Sequence, residues 1–144
     1  MSQQNKVEHK LVVINTDGGA RGNPGPAGIG IVIKSESGEV LYEHGGFIGE
    51  TTNNVAEYSA LIKALEEAHK LGATALKIQM DSELIVKQMT GAYKIKQPGL
   101  QELAATVVKL LKNFQTHSFV HVRRELNHEA DALVNQALDS ARFQ

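Results

Sequence analysis

The stretch "LVVINTDGGARGNPGPAG", residues 11–28, decides how this chain is read. Residues 11–15 form an apolar run, the pattern of a central strand buried on both faces. Asp17 ends that run, and the glycines and prolines behind it predict a loop rather than helix or strand. A carboxylate set between a buried strand and a glycine-rich loop asks for a chemical reason.

Outward from that strand, "GIGIVIK" and "EVLYEHGGFI" flank the turn-forming "SESG", residues 35–38, and predict an antiparallel meander of three strands. Tyr58, Leu61, Ile62, Leu65 and Ala68 then recur at helical spacing, with Gly72 as the stop. "ALKIQMD" alternates Leu76, Ile78 and Met80 in a strand ending at Asp81, and "SELIVKQMTG" follows as a short helix ended by Gly91. A further helix begins at Pro98 and runs to about Asn113. "HSFVHV" is a fifth strand, and a closing helix from Asn127 to about Ala141 sets Ala130, Val134, Ala137, Leu138 and Ala141 on one face. Strands joined through helices lie parallel, with right-handed crossovers. The fold class expected is therefore α/β: a five-stranded mixed sheet of three meander strands and two further parallel strands, with helices packed on it.

At 144 residues, 42% hydrophobic and 22% charged, the chain suits one globular domain, expected over residues 10–144 behind a mobile polar arm at residues 1–9. No apolar run approaches the roughly 20 residues that span a bilayer. The polar start predicts a cytoplasmic protein without a membrane partner. The lack of cysteine excludes disulfides and thiolate metal ligands, which leaves oxygen and imidazole donors and favours magnesium or manganese. A formal net charge of −1 does not advertise nucleic-acid binding. Locally, "KQMTGAYKIK", residues 87–96, holds Lys87, Lys94 and Lys96 without an acid. No sizeable amphipathic segment is left over for a partner, so a monomer is expected.

Open sheets of this kind bind ligands outside the carboxyl ends of their parallel strands. Asp17 and Asp81 end the first and fourth strands, so the two carboxylates meet if those strands are neighbours. Glu57 lies four residues before Leu61 and Asp131 three before Val134, which aligns both with apolar stripes that face the sheet. Each acid also has an ordinary use. Asp17 suits an Asx turn before Gly18, Glu57 a capping box with Asn54, Asp81 a helix cap, and Asp131 the positive end of a helix dipole. Jointly those uses leave two sheet-directed helical acids unexplained, and no lysine or arginine stands at a matching position. Clustered carboxylates without a counter-ion raise one another's pKa, whereas divalent cations keep them ionised. A pair of magnesium ions about 3.5–4 Å apart activates a water and stabilises the leaving oxygen in phosphoryl displacement. Phosphoryl displacement is the reaction class these residues predict.

"TDGGARGNPGPAG", "TTNNVAEYSAL", "MDSELIVKQMTG" and "NHEADALVNQA" resemble, in order and spacing, the motifs of type 1 ribonuclease H, the hybrid-specific endonuclease. The likeness runs from about residue 10 to residue 140 and implies the ribonuclease H-like sheet with helices on both faces. It implies that Asp17, Glu57, Asp81 and Asp131 are catalytic and hold two Mg2+ ions, with Mn2+ able to substitute, and that Glu57 helps to position the attacking water. The activity implied is hydrolysis of the RNA strand of RNA–DNA hybrids to 5′-phosphate and 3′-hydroxyl ends. The family reads RNA by its 2′-hydroxyls across the minor groove. By resemblance, Gly18, Asn23, Asn53, Asn54 and Ser82 are the substrate contacts, the glycines letting backbone and substrate approach closely. From the residues alone, Asn23 suits turn chemistry beside Pro24, Asn53 and Asn54 helix capping, and Ser82 a helix start.

The chain departs from the best-known bacterial branch of that family in three places. It lacks the long basic, tryptophan-bearing protrusion, for which only Lys87, Tyr93, Lys94 and Lys96 stand in, so weaker and more salt-sensitive substrate binding is expected. "VRRELNHEAD" shortens the loop that carries a catalytic histidine in that branch, leaving Arg124 or Glu125 nearest, with Arg124 as a candidate phosphate contact. His128 is expected on the surface of the closing helix's first turn. Glu83 stands where that branch often has Gln and is assigned no contact. Among other readings, an integrase or resolvase of the same superfamily usually lacks the Asn53–Asn54 pair. A non-catalytic hybrid-binding module would be expected to lose an acid. A P-loop hydrolase is excluded because no Gly-Lys-Ser/Thr follows "GNPGPAG".

Overall fold

In the computed structural model, which describes residues 9–141, the apolar run is the first half of a longer strand, β1 (Leu11–Ala20), in the middle of a five-stranded sheet. β2 (Gly25–Ser35) and β3 (Val40–Thr51) fold back antiparallel as the expected meander. β4 (Ala75–Met80) and β5 (Thr116–His121) lie parallel to β1, and the order across the sheet is β3-β2-β1-β4-β5. The helices are α1 (Asn53–Lys70), α2 (Glu83–Met89), α3 (Pro98–Leu111) and α4 (His128–Ala141). A 3-10 turn occupies Arg124–Asn127, so the closing helix starts one residue later than its spacing predicts. Gly72 and Gly91, at φ +79° and +85°, stop α1 and α2 as expected, in a backbone conformation that L side chains rarely adopt. Of the expected N-terminal arm, residues 1–8 lie outside the described residues. Among the described residues no helix is long and apolar enough to cross a membrane.

Alternation along the strands divides the sheet into two faces. Val12, Ile14, Ile31, Ile33, Ile78 and Met80 point to the face covered by α1, α2 and α3, where they meet Tyr58, Leu61, Leu65, Ile85 and Val107 in one buried cluster. Each such side chain stabilises the fold by about 1.5–3 kcal/mol. α4 lies across the opposite face, mainly over β2 and β3, with Ala130, Val134 and Leu138 buried beneath it.

Two expectations about the opening stretch are corrected. The glycine-rich segment is largely strand: residues 16–20 continue β1, residues 25–28 begin β2, and only residues 21–24 turn. Gly18 within it, and Gly30 further along β2, answer to packing. A side chain at Gly18 would overlap the Ala56 backbone of α1, and one at Gly30 would overlap the Ala130 carbonyl of α4. Glycine in a strand marks the close approach of another backbone as readily as it marks a loop. Nor is β1 buried on both faces. Val12, Ile14 and Thr16 are fully buried, whereas Leu11, Val13 and Asn15 are only half-buried because α4 sits chiefly over the neighbouring strands.

Candidate active site

The pairing of β1 with β4 stops at Thr16 and Met80, yet β1 continues to Ala20 paired with β2 alone. A notch therefore opens beside residues 17–20, at the point where Asp17 and Asp81 emerge. The Gly18 N–H is accepted there by Glu57 Oε1 at 2.5 Å and by the Oδ1 of Asp17 at 3.0 Å. Glu57 reaches the notch from α1 and is only 6% exposed, as its alignment with the apolar stripe predicts. The capping-box alternative for Glu57 fails, because Thr52 is the N-cap and its hydroxyl accepts the Val55 N–H at 3.3 Å. Ser82, not Asp81, caps α2, its Oγ accepting the Ile85 N–H at 3.3 Å. The Asp81 carboxylate is thereby left to face the notch.

One carboxylate oxygen from each of Asp17, Glu57 and Asp81 lies within 4.8 Å of the other two. Asp131, in the first turn of α4, lines the same cleft outside that tight group, and its Oδ1 is 3.5 Å from Arg124 Nη2. Arg124 is thus a counter-charge that sequence spacing did not reveal. Burial, followed by repulsion from Glu57, Asp81 and Asp131, pushes Asp17 up to about 9. Glu57 is pushed up to about 7, by burial first and Asp81 next, against the Gly18 N–H that favours its charged form. Burial also raises Asp81, opposed by Asn127 and Arg124. Three carboxylates whose charged forms are disfavoured by burial, with oxygens close enough to share one ion, fit a hard divalent cation.

The cleft has a volume of about 440 Å³, and Gly18, Asn53, Asn54, Ser82 and Arg124 all line it. Asn23 does not. Its Oδ1 accepts the Asn53 N–H at 3.0 Å, while Asn53 Oδ1 accepts the Ala20 N–H at 2.7 Å, which ties the start of α1 to the end of β1. The basic run does meet an acid: Lys87 pairs with Glu83 at 3.2 Å and lies 5.2 Å from the Tyr93 ring centre. His128 begins α4 on the surface as expected, its Nδ1 3.1 Å from the Glu125 carbonyl oxygen.

One residue that spacing did not single out is Asn127. It is 1% exposed, its Nδ2 donates to the Thr16 carbonyl at 2.9 Å, and its Oδ1 accepts from Asn15 Nδ2 at 3.0 Å. Thr16 precedes Asp17 and Asp131 follows Asn127 by one helical turn, so this amide sets the acids of strand and helix against each other. An amide on the inner side of the "NHEAD" turn was the available signal. Asn127→Ala is expected to cost about 1–3 kcal/mol by leaving the buried Thr16 carbonyl without its donor. Urea unfolding reads this as a lower midpoint, and an unchanged midpoint would show that the amide bears no load.

A mixed sheet in this order, with carboxylates gathered where β1 and β4 part, is the ribonuclease H-like fold. A family model described as reverse transcriptase-like matches residues 15–137. The chain belongs to the ribonuclease H family. It is 46% identical over 125 residues to ribonuclease HI of Halobacterium salinarum, a match covering 87% of this chain and 63% of that protein. The crystal structure of RNase H1 from that archaeon aligns with a TM-score of 0.88 and 45% identity over 90% of this chain and 98% of that one. A bifunctional protein of Mycobacterium tuberculosis is 47% identical over 131 residues, 90% of this chain but 36% of that protein. LC11-RNase H1, crystallised in complex with an RNA/DNA hybrid, aligns with a TM-score of 0.87 and 52% identity over 90% of this chain and 98% of that one. The chain therefore spans from about a third to somewhat under two thirds of the length of the mycobacterial and halobacterial relatives.

Proposed function

We propose that this chain is a metal-dependent endoribonuclease that hydrolyses the RNA strand of RNA–DNA hybrids and leaves 5′-phosphate and 3′-hydroxyl ends. The observation that carries the proposal is the convergence of Asp17, Glu57 and Asp81, with Asp131 at the rim, in an open cleft of a ribonuclease H-family chain. Its 52% identity to LC11-RNase H1, a protein crystallised with hybrid, supports the substrate. In this reading the four acids hold two Mg2+ ions, or Mn2+ in their place. Cations bound there supply Lewis-acid activation of the attacking water and neutralise charge on the leaving oxygen.

The chain's own groups do the positioning. The Gly18 N–H keeps the Glu57 carboxylate turned into the notch, where it orients the water for in-line attack. The bond formed joins the water oxygen to phosphorus and the bond broken is P–O3′, so the phosphate stays on the 5′ end of the downstream fragment. Asn53 and Asn54 carry amides that both donate and accept, which suits the 2′-hydroxyl that DNA lacks. Ser82 lines the cleft beside Asp81, and Asn23 acts through Asn53. Arg124, its side chain 76% exposed beside Asp131, is placed to hold a phosphate oxygen. The proposal is of one domain acting as a monomer in the cytoplasm.

The test is cleavage of an end-labelled RNA–DNA hybrid beside single-stranded RNA, DNA duplex and RNA duplex, in magnesium and then manganese, with Asp81→Asn in parallel. Cutting of the hybrid's RNA strand that needs the metal and vanishes in the variant is expected. Hybrid that is bound by folded protein yet stays intact under every condition would identify a binding module instead.

A further inference from the structure

The cleft does not end at the carboxylates. It continues along β1 over Gly19 and Ala20 to Arg21, and Asn135 and Leu138 of α4 form its far wall. Four acids line the whole cleft, and among the described residues the only cationic side chains that do so are Arg124 and Arg21. Phosphate contacts carry much of the affinity for nucleic acid, so a strand laid across so acidic a site needs fixed positive charge beside it.

Arg21 is held for that task. Its Nη1 lies 2.8 Å from Asp139 Oδ1, its Nη2 lies 3.4 Å from Asn135 Oδ1, and its backbone N–H donates to the Pro26 carbonyl at 2.9 Å. A guanidinium has five N–H donors in a planar fork, so these contacts leave donors unused on a side chain that is 41% exposed. The floor between Arg21 and the acids is open: a Cβ added at Gly19 would meet only Asn53 Oδ1, at 3.9 Å. A sugar-phosphate backbone can therefore approach the floor closely at Gly19 on its way to Arg21.

We infer that Arg21 is a second phosphate anchor, holding a phosphodiester of the hybrid that is displaced along β1 from the reacting one. The inference rests on the proposed hybrid-cleaving function. The same contacts also suit a plain latch that ties the β1–β2 turn to α4, and Asp139 separates the two roles. A latch needs both partners, whereas an anchor needs the arginine and loses a competing anion when Asp139 is removed.

The experiment is steady-state cleavage of the hybrid in magnesium between about 50 and 200 mM potassium chloride, with wild type, Arg21→Ala, Arg21→Lys and Asp139→Ala. For Arg21→Ala, KM is expected to rise roughly tenfold at the lowest salt, with the loss on KM rather than on kcat. Its plot of log KM against log salt should be shallower by about 0.9, the signature of one lost phosphate contact. Arg21→Lys should keep the wild-type slope, and Asp139→Ala should keep the slope with KM unchanged or lower. Equal rises in KM for Arg21→Ala and Asp139→Ala at the wild-type slope would establish the latch and overturn the inference, as would an Arg21→Ala enzyme identical to wild type. A wild-type protein inert toward hybrid would overturn the proposed function and this inference together.

Discussion

Asp17→Asn is expected to abolish cleavage and, with divalent cations removed, to make the protein more stable than wild type above neutral pH. Asp17 rises from its ordinary 3.8 to about 9 through burial and repulsion from Glu57, Asp81 and Asp131, and Glu57 from 4.5 to about 7 through burial and repulsion from Asp81. Both folded values lie above the unfolded ones, so the folded state keeps protons that the unfolded chain has released. Stability is then fully present below about pH 4 and is lost as pH rises through the folded values. Asparagine cannot ionise, so the largest of these shifts is absent from the variant. Thermal melts in a chelator from about pH 5 to about pH 9 should fall for wild type and stay flatter for the variant. Water screens this part-open cleft, so the difference at the alkaline end is on the order of 2 kcal/mol, or roughly 4–8 °C in a domain of this size. Magnesium should restore the wild-type melting temperature and move the variant little, because only a protein that binds the ion is stabilised by it. Cleavage by the variant should fall at least about 10³-fold, since several kcal/mol of charge stabilisation depend on the bound ions. A wild-type melting temperature that climbs with pH in chelator would contradict this account of the cluster, and retained cleavage would remove Asp17 from the reaction.

The two glycines that follow Asp17 are expected to behave oppositely. At Gly18 a methyl group would overlap the Ala56 backbone and come within 2.6 Å of the Glu57 nitrogen, neither of which can rotate away. α1 must then shift, carrying with it the carboxylate that the Gly18 N–H holds at 2.5 Å. Gly18→Ala should lose about 3 kcal/mol or more of stability and most of its activity. At Gly19 the nearest atom to a new methyl is 3.9 Å away, so Gly19→Ala should melt within about 0.5 kcal/mol of wild type. Its loss should appear in KM for the hybrid, because the methyl projects from the cleft floor. Urea unfolding and steady-state cleavage of the pair check this, and equal melting of the two variants would refute the packing role of Gly18.

Much of the site was legible for a local reason. Asp17 and Asp81 stand where strand patterning ends, and Glu57 interrupts a helical apolar stripe, so each declares itself within a few residues of chain. Asp131 was legible in the same way, but its pairing with Arg124 was not. That pairing depends on the 3-10 turn at Arg124–Asn127, which spacing read partly as loop and partly as helix. The composition of residues 16–28 misled for a physical reason as well. Glycine selected for a loop and glycine selected because a helix backbone presses on a strand look alike in a sequence. Only the Ala56 and Ala130 backbones tell them apart.

What the sequence by itself determined is the order of elements, the division into an antiparallel and a parallel half, and the four acids that come to line one cleft. Periods of 2 and 3.6 are local properties, and the handedness of crossovers leaves few ways to assemble them. What only the tertiary structure decided is which polar groups serve the acids from far along the chain. Asn127 holds the Thr16 carbonyl, Arg21 reaches Asp139, and β4 stops short of β1 to open the notch. The side-chain contacts among these join residues more than a hundred positions apart, and no local pattern encodes the distance at which β1 and α4 come to rest.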